Sequence, residues 1–163
     1  MKTLNLATAT AVFMIATAAA AFAAGSATVA YPASYRSWTH VKSMLINPGH
    51  PLYDSFGGIH HLYANKMAMQ GYKTGKFPDG AVIAFDLLAA QSADSAVTEG
   101  KRKVLGVMQR DTKRFGATGG WGFEAFAGDS ASERVVGAKA ASACFACHES
   151  QKGTQYVFSR YRN

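Results

Sequence analysis

The apolar positions of this chain change period several times, and each change marks an element. Leu4 to Ala24 is an uncharged run dominated by apolar and small residues. Beyond it, Pro32 to Ser34 reads as a helix start with Ser34 as N-cap, since Tyr35, Trp38, Val41 and Leu45 then fall near one face at helical spacing. Asn47-Pro48-Gly49 stops that run. Ile59 to Asn65 alternates as a strand does, and Lys66 to Tyr72 is expected to form a helical turn ahead of the turn sequence Lys76-Phe77-Pro78-Asp79-Gly80. Ala81 to Leu88 predicts the next strand, with Ala81, Ile83, Phe85 and Leu87 on one face and Asp86 interrupting the other. The polar, small stretch Gln91 to Gly100 is expected as a loop joining it to an antiparallel strand over Lys103 to Arg110. Gly119-Gly120 breaks the chain before Trp121 to Ala127, a strand in which Trp121, Phe123 and Ala125 share a face. Ser130 and Glu133 have capping-box spacing ahead of a Val- and Ala-rich helix. The fold class predicted is α+β: a mainly antiparallel β-sheet with flanking helices and a further helix at the C-terminus.

Lys2 followed by the apolar run, with Ala21-Phe22-Ala23 as a small-x-small cleavage site, matches a secretory signal peptide over residues 1–23. A membrane anchor is the competing reading. Thr8, Thr10, Thr17 and the alanines make the run weakly hydrophobic, and only cleavage accounts for its Ala-rich end. The expectation is a periplasmic protein without a membrane anchor after cleavage, whose residues 24–163 form one domain. The net charge of +7 loses only Lys2 with the signal. The remaining charges are scattered and form no arginine-aromatic ladder, so no nucleic-acid partner is expected, while solubility or a small acidic redox partner accounts for them.

The stretch that carries chemistry is Cys144-Phe145-Ala146-Cys147-His148. C-x-x-C-H is the pattern by which two thiols add to the vinyl groups of haem, and the next residue brings an imidazole under the iron. A closed zinc site would need more ligands, and the chain has only these two cysteines and no histidine after His148. A thioredoxin-like pair opens a helix after a strand, whereas this pair lies in an alanine-rich helical stretch near the C-terminus. The motif therefore predicts one covalent haem c per chain, through Cys144 and Cys147, with iron bound by His148.

Function then depends on the sixth iron position, because a second protein ligand makes an electron carrier and an open site makes a gas binder or an enzyme. Met44, Met67, Met69 and Met108 offer thioethers, for which gap-filling in the core is the competing role. His40, His50, His60 and His61 offer imidazoles, although His60 and His61 are strand neighbours and at most one of them faces the haem.

Four stretches together resemble the cytochrome P460 family: Phe56 to Asn65 (FGGIHHLYAN), Phe77-Pro78-Asp79-Gly80, Thr118 to Glu124 (TGGWGFE) and Cys144 to His148. The resemblance implies a mainly antiparallel β homodimer with five-coordinate haem iron, exported to the periplasm. It also implies one of two activities. Cytochromes P460 oxidise hydroxylamine with a haem cross-linked to a lysine of the distal-side strand, and cytochromes c′-β bind nitric oxide and carbon monoxide. Ala81 to Ala90 holds no lysine. Phe85 resembles one of the two aromatic residues that cap the distal pocket of cytochromes c′-β, and Phe56 the other, so the resemblance favours the gas-binding branch. Ordinary core packing is the alternative for both rings. Low-spin electron transfer remains a third reading.

Overall fold

A computed structural model describes residues 28–162. The signal-peptide expectation, residues 1–23, lies outside the described residues. Five strands form one antiparallel meander in the order β1-β2-β3-β4-β5: β1 Thr39–Ile46, β2 Gly58–Ala64, β3 Val82–Ala93, β4 Ala96–Arg110 and β5 Trp121–Ala127. A short helical turn, α1 Tyr53–Phe56, precedes β2, and α2 Lys66–Thr74 links β2 to the β3 side of the sheet. Asn65 caps α2 by accepting from the Ala68 amide, and Gly75, in the left-handed region, closes it. The chain is α+β, as its pattern predicts.

Alternation along the strands gives the sheet two faces, each with its own core. One face gathers Val41, Ala64, Ile83, Trp121 and Phe123 beneath α2, Phe77 and Val157, and the C-terminal segment packs there through Cys144 and Phe145. The other gathers Ala84, Leu105, Val107 and Phe126, covered by Val29, Tyr35 and Phe115.

Three expectations fail. The helix expected from Ser34 to Leu45 is only a 3₁₀ turn, Tyr35–Ser37, followed by edge strand β1. Val41 and Ile46 are buried while Leu45 is exposed, so pairing with β2 decides the conformation and the helical spacing of aromatic and apolar residues is incidental. The expected loop from Gln91 to Gly100 is strand almost throughout. β3 and β4 pair up to Ala93 and Ala96 and turn on Asp94 and Ser95 alone, both with φ in the left-handed region (51° and 60°), the geometry of a two-residue hairpin turn. Ser130 does accept hydrogen bonds from the Ser132 and Glu133 amides, yet no helix starts there. The chain instead returns alongside β5, with Arg134 bridged to Phe126, and turns helical only at Gly137.

Candidate functional site

The C-terminal segment is helical in pieces: a 3₁₀ turn at Gly137–Lys139, a π-helical turn at Ala141–Phe145, an α-turn at Ala146–His148 that we call α3, and a 3₁₀ stretch at Glu149–Thr154. Its start is fixed from the sheet. Glu124 of β5 is buried, accepts from the amides of Val136 and Gly137 (3.1 Å each) and pairs with Arg134 at 3.0 Å. Burial by itself would raise the Glu124 pKa, but the amide bonds and the arginine outweigh it and hold the carboxyl below its usual range. The π-turn contains Cys144, and such bulges gather at functional sites. Cys144 is half-buried against the core and Cys147 is exposed; both are free thiols.

His148 lies between the rings of Phe123 and Phe158, with centroids 4.9 and 5.0 Å away. Its Nδ1 is 2.7 Å from the backbone carbonyl oxygen of Tyr156, so Nδ1–H donates and Nε2 keeps its lone pair. Burial pushes the imidazole pKa down, opposed by the bond to Tyr156, and the neutral ring is favoured. That is the tautomer a metal-bound histidine uses. Glu149, the neighbouring carboxylate, is exposed and is not the orienting partner.

The carbonyl reaches His148 because Gln155 and Tyr156 both take positive φ (53° and 68°). Neighbouring side chains over-determine this corner. Trp121 Nε1–H donates to the Gln155 carbonyl at 2.8 Å, Gln155 Oε1 accepts from the Phe77 amide at 2.8 Å, and the Tyr156 ring lies over Gly119, where a Cβ would overlap it. The Thr118 to Glu124 and Phe77 to Gly80 motifs are thus the support of the histidine, a role their sequence did not disclose.

Phe56 and Phe85 stand on the same sheet face as Cys144 and His148. Phe85 pairs with Leu62 in β2 and Gly106 in β4, in the row next to Ile83, and Gly106 pairs in turn with Ala125. Beyond Phe85 that row carries only Gly106 and Ala125, a gap between the Met108–Phe123 and Val104 rows that leaves room for the edge of a flat macrocycle. The two phenyl rings meet edge to face, 6.0 Å between centroids at 89°, with Phe56 41% exposed. The Phe56-Gly57 backbone is tied twice: His60 Nε2–H donates to the Phe56 carbonyl, and Lys103 Nζ donates to the Gly57 carbonyl at 2.8 Å.

His60 alone among His40, His50, His60 and His61 is buried on this face, packed 4.7 Å from the Phe85 ring, with Nδ1 unpartnered. Burial pushes its pKa down, with the Phe56 carbonyl opposing, so it is neutral. His61 points to the opposite face, as strand alternation requires. Met69 lies on the buried core side of α2, Met108 packs beside Phe123, and Met44 and Met67 are exposed. Asp86 and Arg110 are engaged away from this site. Asp86 is fully buried on the far face with Tyr35, Arg36 and Arg102, and Arg110 donates to the Gly119 carbonyl while stacking on Trp121.

These residues suit a haem: two thiols one helical turn apart, an imidazole with only Nε2 free, and a small-residue gap at Gly106 and Ala125 beside two phenyl rings. Fold and site together define a c-type haem protein. The family model of cytochrome P460 matches residues 32–159, and the chain belongs to the cytochrome P460 family, whose members hold c-type haem with iron. No curated protein matches the chain significantly.

Proposed function

We propose that this is an exported mono-haem cytochrome of the c′-β kind, which captures, carries or senses nitric oxide or carbon monoxide. Cys144 and Cys147 would hold the haem through thioethers, His148 would bind its iron through Nε2, and Phe56 and Phe85 would line the side left to a gas ligand. The bound iron supplies the bond to the diatomic ligand. The observation that carries the reading is the Phe56–Phe85 pair on the face that carries His148. Two phenyl rings exclude water and offer no hydrogen-bond donor, and the N–H of neighbouring His60 is committed to the Phe56 carbonyl. A ligand that needs polar stabilisation gains little there. The rings act on small apolar diatomics mainly as a steric gate. We place the protein in the periplasm as a homodimer, reduced by a small redox partner.

A second reading, hydroxylamine oxidation through a lysine-modified haem, has one observation in its favour. β3 holds no lysine, but the Lys103 amine reaches the Gly57 carbonyl beside Phe56. The test is the absorption spectrum of the purified protein, oxidised, dithionite-reduced and with NO added, together with the mass of its haem peptide. A high-spin spectrum that takes up NO, with haem on the Cys144–Cys147 peptide alone, supports gas binding. A strongly red-shifted ferrous Soret band with a lysine peptide retained on the haem establishes the enzyme instead. Sharp low-spin bands indifferent to NO establish an electron carrier.

A further inference from the structure

The face of the sheet turned away from the haem site carries a second cluster of chemistry-bearing side chains. His40 Nε2 lies 3.0 Å from Ser43 Oγ, Ser43 Oγ lies 2.6 Å from His61 Nδ1, and His61 Nε2 lies 2.6 Å from Glu99 Oε1. None of this is adjacent in sequence. Ser43 and His61 face each other across the β1–β2 ladder, and the ladder slips between His40 and Lys42. In a regular strand His40 and Ser43 would point to opposite faces; the bulge turns His40 to the side of Ser43. Glu99 comes from the far end of the β3–β4 hairpin, whose register slips twice near Leu88, so that the hairpin end reaches β2.

The hydrogen bonds run in one direction. Glu99 accepts from His61 Nε2–H, which leaves Nδ1 of His61 as a bare acceptor. Ser43 Oγ–H donates to it and accepts in turn from His40 Nε2–H. Two imidazole nitrogens therefore converge on one small oxygen, and the ring of one is backed by a carboxylate. A serine, a histidine and a carboxylate in contact also describe an activated nucleophile. That reading fails here, because Ser43 is in mid-strand, where successive amides point to opposite sides and cannot pair up on one oxyanion.

We propose that His40 and His61 form a binding site for a divalent transition-metal ion of the zinc or copper type. Imidazole suits these ions, and histidine ligands commonly donate their other ring N–H to a carboxylate, which fixes the ring and raises its basicity. The ion sits beside the Ser43 hydroxyl, between His40 Nε2 and His61 Nδ1, and replaces the two hydrogen bonds that these nitrogens now make to Ser43. His61 offers Nδ1 as it stands, while His40 moves its ring proton to Nδ1 and offers Nε2. No group of three or more His, Cys, Asp and Glu side chains capable of holding a metal occurs among the described residues, so the coordination sphere is completed by Ser43 Oγ and water. Tyr63, 5.6 Å from His40 between ring centroids, walls one side.

The test is a Zn²⁺ titration of the haem-loaded protein by calorimetry, with X-ray absorption at the zinc edge, which is blind to the haem iron. One zinc per chain at micromolar affinity with two imidazoles in its shell is the expected result. His40→Ala and His61→Ala each weaken binding by at least about tenfold, and Glu99→Gln, which keeps both ligands, weakens it by about tenfold through the loss of its carboxylate. The exposed His50→Ala control leaves it unchanged. An unaltered Soret band and melting temperature establish that each variant is folded. Binding that is absent below millimolar zinc, or equal in wild type, His40→Ala and His61→Ala, or a zinc shell with fewer than two imidazoles, overturns the proposal.

Discussion

The Nε2–H of His60 is hydrogen-bonded to the carbonyl of Phe56, so a buried imidazole holds in place the residue whose ring meets Phe85. Lys103, on the neighbouring Gly57 carbonyl, reinforces the same segment. If the phenyl pair gates the iron, loosening either bond opens the gate. One such bond contributes about 1 kcal/mol, which corresponds to about a fivefold change in the open population. His60→Leu, which keeps apolar bulk against Phe85 and loses the donor, is expected to bind CO and NO several times faster, and Phe85→Ala faster still. Flash photolysis of the ferrous CO complex measures both. Rates equal to wild type in the two variants would remove Phe56 and Phe85 from the ligand's path.

Gly106 pairs with Phe85 in the middle of β4, a position where the strand itself would prefer a β-branched residue. A Cβ there would lie 3.3 Å from Phe85 Cδ1, a tight but tolerable contact. Without a macrocycle over this position, Gly106→Val displaces the Phe85 ring slightly and leaves the sheet folded. With a macrocycle resting on it, the added methyls collide with the ring. The expected outcome is a protein that folds yet matures with a reduced fraction of covalent haem and a shifted Soret band, read from the ratio of haem to protein absorbance.

Asp86 has no exposure and accepts from Tyr35 Oη (2.7 Å), Arg102 Nε (2.6 Å) and Arg36 Nη2 (3.0 Å). Burial pushes its pKa up, but Arg102, Tyr35 and Arg36 outweigh that and hold it below the usual carboxylate range. A carboxyl depressed on folding contributes stability above its unfolded pKa, about 3.9, and loses it as the pH falls toward the folded value. Stability is therefore expected to be flat near neutrality and to fall steeply below about pH 4. Asp86→Asn leaves the exposed Asp129 as the carboxylate paired with Arg102 and is expected to cost about 3 kcal/mol at pH 7, with a shallower acid limb. Urea melts across pH measure both.

Where a single strand settles its own conformation, the fold was legible: β2, β5 and the first half of β3 follow from alternating residues, and the cysteine motif announces its own chemistry. What was hidden depends on partners distant in sequence. β1 exists because β2 pairs with it, and the long hairpin turns on Asp94-Ser95 without the glycine that advertises such a turn. The same holds for the site. Phe85 was readable as an inward strand position, but the carbonyl that orients His148 belongs to Tyr156, held by Trp121 and Gly119 from the other end of β5. A left-handed pair at Gln155-Tyr156 has no sequence mark, since neither residue prefers that region. His60 and Lys103 were visible as residues, but their bonds to main-chain carbonyls depend on how α1 meets the sheet.

The corner that orients His148 should itself be measurable at the iron. Trp121 is fully buried and its indole N–H is bonded to the Gln155 carbonyl, so Trp121→Phe keeps most of the apolar contact and removes the restraint. The Tyr156 carbonyl is then less firmly held, its bond from His148 Nδ1–H lengthens, and the imidazole becomes a poorer donor through Nε2. In the ferrous protein the iron–histidine stretching band is expected to move to lower frequency. The reduction potential is expected to rise, because weaker donation favours the ferrous state. Phe123→Leu, which loosens packing against the same ring without touching the hydrogen bond, serves as the comparison. A frequency shift in Trp121→Phe and none in Phe123→Leu assigns the effect to the hydrogen bond; equal shifts would assign it to packing, and an unmoved band in both would show that His148 is not tuned through Tyr156 at all.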